Sequence, residues 1–470
     1  MTGLALRLAT GLLLLAGLAT ANPAFAASEL DGKAMGLIWT LPFAGLLLSI
    51  ALCPLWAPGF WHHHFGKVAV GWAAAVAIPA TIVFGPGATL GALSHILLLD
   101  YVPFIILLTT LFTVAGGVRL HGRLGGTPAS NTAMLAFGTV IAGWMGTTGA
   151  SMLLIRPLIW ANQHRAHRVH VFVFFIFLVS NIGGVMTPLG DPPLFLGFLK
   201  GVSFFWWAGE MIPILLFIGG LTLLVFFVID SFLARRDEPS VRAPKEPISI
   251  EGGLNLVLLA AVVGAVLVAG AWKSGVSFVV AGMEFTLQML VSQALLLLIL
   301  AASIVFTSNE TRAHNEFSYA PMAEVAKLFF GIFITIIPPL AILRAGSDGS
   351  LAWLLALVTK DGQPVNAAYF WLTGGLSGFL DNAPSFLVFF NAAGGDPQVL
   401  MGPLAQTLAA ISAGAVFMGA LSYIGNAPNF MVKAVVEDRG IQMPSFFGYM
   451  AWSCAVLLPI FVAATFVFYW

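Results

Sequence analysis

Apolar residues run through this chain in long blocks, and the polar positions fall between the blocks rather than within them. Runs near the roughly 20 residues needed to cross a hydrocarbon layer occupy about 35–56, 67–84, 101–118, 171–189, 204–234, 253–271, 287–306, 327–343, 404–424 and 447–469. That pattern predicts ten transmembrane helices. Two more apolar stretches, about 129–162 and 369–393, are interrupted midway by GTTGAS (146–151) and LDNAPS (380–385). A break at membrane depth is tolerated only where the freed backbone groups are buried in protein or line a cavity, so each stretch predicts a re-entrant hairpin. The expected fold is an all-α polytopic membrane protein, about ten transmembrane helices plus two re-entrant hairpins, arranged as two inverted-topology repeats.

Composition supports the membrane reading. Hydrophobic residues make up 59% and charged residues 9% of the chain, with a mean hydropathy of +0.96, whereas soluble domains are about a quarter charged. Lys+Arg and Asp+Glu balance at 20 each, so no charged field points to nucleic acid. Cys53 and Cys454 lie in apolar runs and read as unpaired. Residues 1–26, with Arg7, a leucine-rich core and the small-residue end Ala24-Phe25-Ala26, have the regions of a secretory signal. Cleavage there starts the mature chain on the periplasmic side of a bacterial inner membrane. RLHGR (119–123), HRAHR (164–168) and RRDEPSVRAPK (235–245) then fall inside, as the enrichment of Lys and Arg in cytoplasmic loops requires. The first hairpin is flanked by these basic segments and the second by cation-poor ones, so the two face opposite sides.

An internal repeat agrees. GTTGAS precedes GDPPLF (190–195), and LDNAPS precedes GNAPNF (425–430); Ser151 matches Ser385 at an offset of 234 (385 − 151), and Gly190 matches Gly425 at 235 (425 − 190). The predicted organisation is a first repeat over 27–234, a cytoplasmic linker over 235–252 and a second repeat over 253–470. Inverted repeats whose broken helices meet at mid-depth are a recurring plan of secondary transporters.

The breaks also mark the chemistry. SNIGGVMTPLGDPP (180–193) has glycines at 183, 184 and 190 and prolines at 188, 192 and 193, and cannot stay helical. SYIGNAPN (422–429) does the same. Asp191 and Asp381 are the principal candidates, because a carboxylate inside a span costs several kcal/mol unless paired or protonated. A proton and a metal cation then compete for the same oxygens. Neutral oxygens are offered by Asn382, Ser385, Asn426, Ser180, Asn181, Thr187, Thr148, Ser151, Ser422 and Asn429. The structural alternative is that Asp191 and Asp381 only cap the helices that follow. Arg156 stands either as a counter-charge to Asp191 or as a side chain reaching the cytoplasmic surface, and Asp100 as a boundary residue of the third span. The histidines of WHHHFGK (61–67) and HRAHRVH (164–170) read as solvated loop residues. No GxxxxGK[ST], HExxH or Ser-His-Asp pattern is present, so an ATP-driven pump or an intramembrane enzyme is not expected, nor is a cofactor.

SNIGGVMTPLGDPP, LDNAPSF and IGNAPNF resemble the ion transporter superfamily, closest to NhaD-type sodium/proton antiporters and the related CitMHS-like citrate-transporter branch. The resemblance spans about residue 35 to 470, and its most specific element is the tip Asp381, Asn382, Pro384. It implies two inverted repeats, often working as a homodimer. Dicarboxylate carriers of the superfamily carry Ser-Asn-Thr at both tips; these tips read GTTGAS and DNAPS, which counts against that activity. The expected function is exchange of Na+ (or Li+) for H+ through Asp381 and Asp191, with the lipid bilayer as surroundings. Transport of citrate or another carboxylate, free or metal-complexed and coupled to H+ or Na+, is the alternative.

Overall fold

The computed structural model describes residues 30–123, 125–237, 246–280 and 282–470; the expected signal, 1–26, lies outside them. Among the described residues, eight helices are long and apolar enough to span a bilayer: Leu37–Trp56, Pro58–Phe84, Pro86–Ala115, Trp206–Ala234, Gly253–Ala271, Leu287–Phe306, Ala320–Arg344 and Phe446–Tyr469. Two shorter apolar helices, Val169–Val185 and Ala405–Leu421, bring the described total to the ten regions expected. The chain is an all-α polytopic membrane protein. Among the described residues, strands form only three two-stranded ribbons in the connections.

The two short helices are central. Every residue from His170 to Leu178 and from Thr407 to Met418 is buried, whereas long helices such as Leu287–Phe306 expose Leu298, Val305 and Phe306. A helix wrapped by protein can stop at mid-depth because its open backbone groups do not meet lipid. Each is followed by non-helical chain and then a short helix, Pro192–Leu199 and Ala427–Asp438.

Both interrupted stretches are helical hairpins. In the first, Pro128–Met145 and Thr147–Ala161 meet at Gly146, and the amides of Asn131 and Asn162 exchange two hydrogen bonds of 2.9 Å across its base. In the second, Asn366–Leu380 and Asn382–Ala392 meet at Asp381, and the rings of Tyr369 and Phe389 lie 6.3 Å apart near its base. The 29-residue helix Trp206–Ala234, about 42 Å long, relates the two bases. Asp230 at its C-terminal end accepts a 3.0 Å bond from Asn131. Trp206 at its N-terminal end donates to the Met401 carbonyl at 3.3 Å, in the short helix Pro397–Met401 that follows the second hairpin. The hairpins are therefore rooted at opposite ends of one helix, with their tips between.

Several local expectations change. The third span begins at Pro86 rather than 101 and contains a π-helical turn, Ile96–Tyr101, which buries Asp100 against Lys200 at 2.6 Å. The His62–His64 run lies in the helix Pro58–Phe84, not in a loop, and the His63 and His64 rings bond to the Gly59 and Phe60 carbonyls one turn earlier. His170 is not solvated: it is buried, 2.9 Å from Asp230, which also pairs with Arg165 at 2.5 Å. A protein carboxylate 60 residues away drew it inward, which a loop's local composition cannot reveal.

Candidate functional site

The hairpin tips and broken helices meet at Asp191. Glycine at 190 lets the backbone fold closely enough for this, since a Cβ there would sit 2.2 Å from the Gly184 carbonyl oxygen. Asp191 occupies the N-cap position of Pro192–Leu199 but makes no side-chain capping bond. Its carboxylate turns instead to three other elements. Oδ1 accepts from the Thr147 hydroxyl at 3.0 Å and from the Asn426 amide at 3.1 Å, and Oδ2 accepts from the Asn382 amide. Asp191 is 2% exposed.

Asp381 sits one residue before Asn382, with φ +138° and ψ 143°. A non-glycine residue in that region costs on the order of 1–3 kcal/mol. The first hairpin places Gly146 at the equivalent break, with φ +83° and ψ 145°. Asp381 Oδ1 accepts from the Ala383 N–H at 3.0 Å, so this carboxylate also caps the helix that follows. Glycine would satisfy the backbone at lower cost and is tolerated almost as well as a cap, so capping alone is a weak reason for an acid at this position.

The remaining candidates divide into two groups. Asn426 also approaches the Ser180 carbonyl at 3.1 Å and Asn181 Oδ1 at 3.3 Å, and Asn181 donates to Asn429 Oδ1 at 2.7 Å. Ser151 and Ser180 share a 2.9 Å bond, and Thr148 lines the cavity described below. Thr187, Ser422 and Ser385 are instead engaged with backbone: Thr187 donates to the Gly143 carbonyl, Ser422 to that of Gly378 at 2.5 Å, and Ser385 to that of Asp381 at 2.7 Å. Thr187 and Ser422 are staples between hairpin and broken helix. Their offsets, 235 for both donors (422 − 187) and acceptors (378 − 143), equal those of Gly146/Asp381 and Gly190/Gly425. The hairpin breaks thus keep 235, one more than the Ser151/Ser385 spacing. In this register Asp191 corresponds to Asn426, and Thr147 to Asn382. Thr147 was missed in the sequence; its place immediately after the first break, matching Asn382, was the available signal.

Four helices of eight or more residues begin at these breaks, at Thr147, Pro192, Asn382 and Ala427. Each N-terminus carries roughly +0.5 charge, so four roughly balance two ionised carboxylates. Arg156 does not take part. Its guanidinium pairs with Glu316 at 3.0 Å, and Glu316 also holds Arg439 at 2.5 Å. Beside the cluster lies a cavity of about 110 Å³, bounded by Thr147, Asp191, Asp381, Asn382 and Asn426 and, from the surrounding helices, by Leu108 and Phe329 among others. Among the described residues, no group of three or more His, Cys, Asp or Glu side chains is placed to hold a resident metal.

A protein family described as "Putative citrate transport" matches residues 32–469, which includes both hairpins and both broken helices. The chain belongs to this citrate-transport family. No curated protein matches it. Membership and the apolar helices make it a multi-pass membrane transport protein, and the Asp191 cluster lies where the two hairpins of this chain converge.

Proposed function

We propose that the protein is a secondary antiporter that exchanges Na+ or Li+ for H+ at Asp191 and Asp381. The observation that carries this is the setting of Asp191. Its buried carboxylate takes the three donors, Thr147, Asn382 and Asn426, that a bound anionic substrate would otherwise use. Side chains at the starts of three of the helices are thereby turned to a protein carboxylate, and among the described residues no Lys or Arg hydrogen bond or ion pair to Asp191 or Asp381 is formed. A free carboxylate entering this site meets two negative groups; a cation meets their oxygens. Exchange follows because a proton and a cation neutralise the same carboxylates. Asn382, Asn426, Thr148 and the Ser151/Ser180 pair supply neutral oxygens, while Thr187, Ser422, Ser385, Asn181 and Asn429 position the broken chain.

The same proposal includes two inverted repeats, 27–234 and 253–470, joined by a cytoplasmic linker, in a bacterial inner membrane and working as a homodimer. The common offset of 235 and the opposed hairpin bases support the repeat. The family description favours a second reading, in which citrate or another carboxylate is carried, metal-complexed so that its metal meets the aspartates. Everted vesicles separate the two. Sodium should collapse a respiration-generated pH gradient, and Asp191→Asn should abolish the response. Citrate uptake without sodium-driven proton movement would establish the second reading instead.

A further inference from the structure

A second cavity, of about 610 Å³, lies beyond Lys200 and Asp100 and includes His95, Ala341 and Arg344 in its wall. It shares walls with the central one. Three elements wall both: Pro86–Ala115 contributes Asp100 to the outer cavity and Leu108 to the central one, Ala320–Arg344 contributes Leu340 and Phe329, and the segment leaving Asp191 contributes Lys200 and Phe195. Asp191 and Lys200 are nine residues apart (200 − 191), about 13 Å along a helix. The segment Leu30–Lys33 also lines the outer cavity, with Lys33 pinned to Asp348 at 2.6 Å.

Along two of these helices, Phe104 and Phe333 fall between the residues that line one cavity and those that line the other. Phe104 is 6.3 Å from Phe195, 4.7 Å from Phe329 and 5.7 Å from Phe333, ring centre to ring centre. One turn outward from Phe104 is Asp100, 8% exposed in its side chain and bonded to Lys200 at 2.6 Å. The pair joins helices of different groups: Lys200 ends the helix that carries Asp191, and Asp100 lies in the π-helical turn of an outer span, a distortion often found at functional sites. At the opposite end, Arg156 and Arg439, on the hairpin and broken-helix group, bind Glu316 in the connection before Ala320–Arg344. The site is thus bracketed by one ion-paired contact at each end.

We propose that the 610 Å³ cavity is the vestibule through which the transported solute reaches the Asp191 and Asp381 site, and that the Lys200–Asp100 ion pair, backed by the Phe104 cluster, is its gate. This rests on the reading that the solute binds at those aspartates. Opening requires Lys200 to leave Asp100 as the helix bearing Asp191 moves, while the Glu316 contacts hold the other end shut.

Accessibility tests the gate without assuming the solute. In a Cys53→Ser, Cys454→Ser background, Ala341→Cys reports the vestibule and Leu108→Cys the central cavity to a membrane-impermeant methanethiosulfonate. Ala341→Cys should react readily with the pair intact, and Leu108→Cys slowly. Removing both charges together, Asp100→Leu with Lys200→Met, avoids a stranded buried charge and should speed Leu108→Cys modification about tenfold, the scale of a minor open state becoming common. The swap Asp100→Lys with Lys200→Asp should restore protection. Modification of Leu108→Cys that is unchanged by loss of the pair, or an unreactive Ala341→Cys, overturns the proposal. Asp191→Asn should stop flux and leave Leu108→Cys protected; flux that survives it removes the antiport reading and leaves the gate standing.

Discussion

Asn426→Asp is a demanding test of the site, because it places an acid at the position that corresponds to Asp191. The amide nitrogen of Asn426 lies 3.1 Å from Asp191 Oδ1. Two ionised carboxylates at that separation repel by about 5 kcal/mol at an effective dielectric constant of about 20. Even a quarter of that is a factor of about ten in a binding equilibrium. The variant therefore keeps one proton shared between the two acids, and sodium must displace it. In everted vesicles at neutral pH the sodium concentration for half-maximal collapse of the pH gradient should rise at least about tenfold, and the defect should shrink at alkaline pH. Asn426→Leu, which removes a donor without adding charge, should weaken sodium response with no such recovery. Wild-type half-saturation for Asn426→Asp at neutral pH would refute the placement of Asn426 against the working carboxylate.

Asp381→Gly relieves the φ +138° strain, so it should raise thermal stability in detergent by about 1 kcal/mol while abolishing transport; retained transport would reduce Asp381 to a cap. Gly190→Ala and Gly425→Ala put a Cβ 2.2 Å and 2.5 Å from the carbonyl oxygens of Gly184 and Gly419, and both should lose activity and expression. Gly375→Ala, with nothing within 4 Å, should be tolerated. The hydrogen bond from Arg156, with the charge of Arg439 beyond it, holds the Glu316 carboxyl below its ordinary value of 4.5. A depressed acid stabilises above that value and loses its contribution as pH falls through the bound one. Melting curves from pH 6 downward should fall more for wild type than for Glu316→Gln, modestly, because Glu316 is 58% exposed.

Much of the fold was legible because membrane helices must satisfy their backbone internally, which forces long apolar runs into plain view. The breaks at 146–151, 180–193, 380–385 and 422–429 were equally visible, since clustered proline and glycine unwind a helix wherever they fall within a span. The start of the third span, Pro86–His95, was not, because Gly85, Gly87 and Gly91 made its first turns look like loop. Side-chain partners were beyond reach for a different reason: Arg156 meets Glu316 across 160 residues and Asp191 meets Asn382 across 191. Two acids were legible as candidates; that Asp191 would take the donors and Asp381 the strained backbone depended on how the halves dock.

Protein carboxylates that trade a proton for a metal ion are the centre of this mechanism. The most direct measurement is proton release from purified protein in lightly buffered detergent when sodium is added, followed with a pH-indicator dye. Release that saturates with sodium, and is lost in both Asp191→Asn and Asp381→Asn, is the predicted result. Sodium binding without proton release, or release unchanged in those variants, would contradict it.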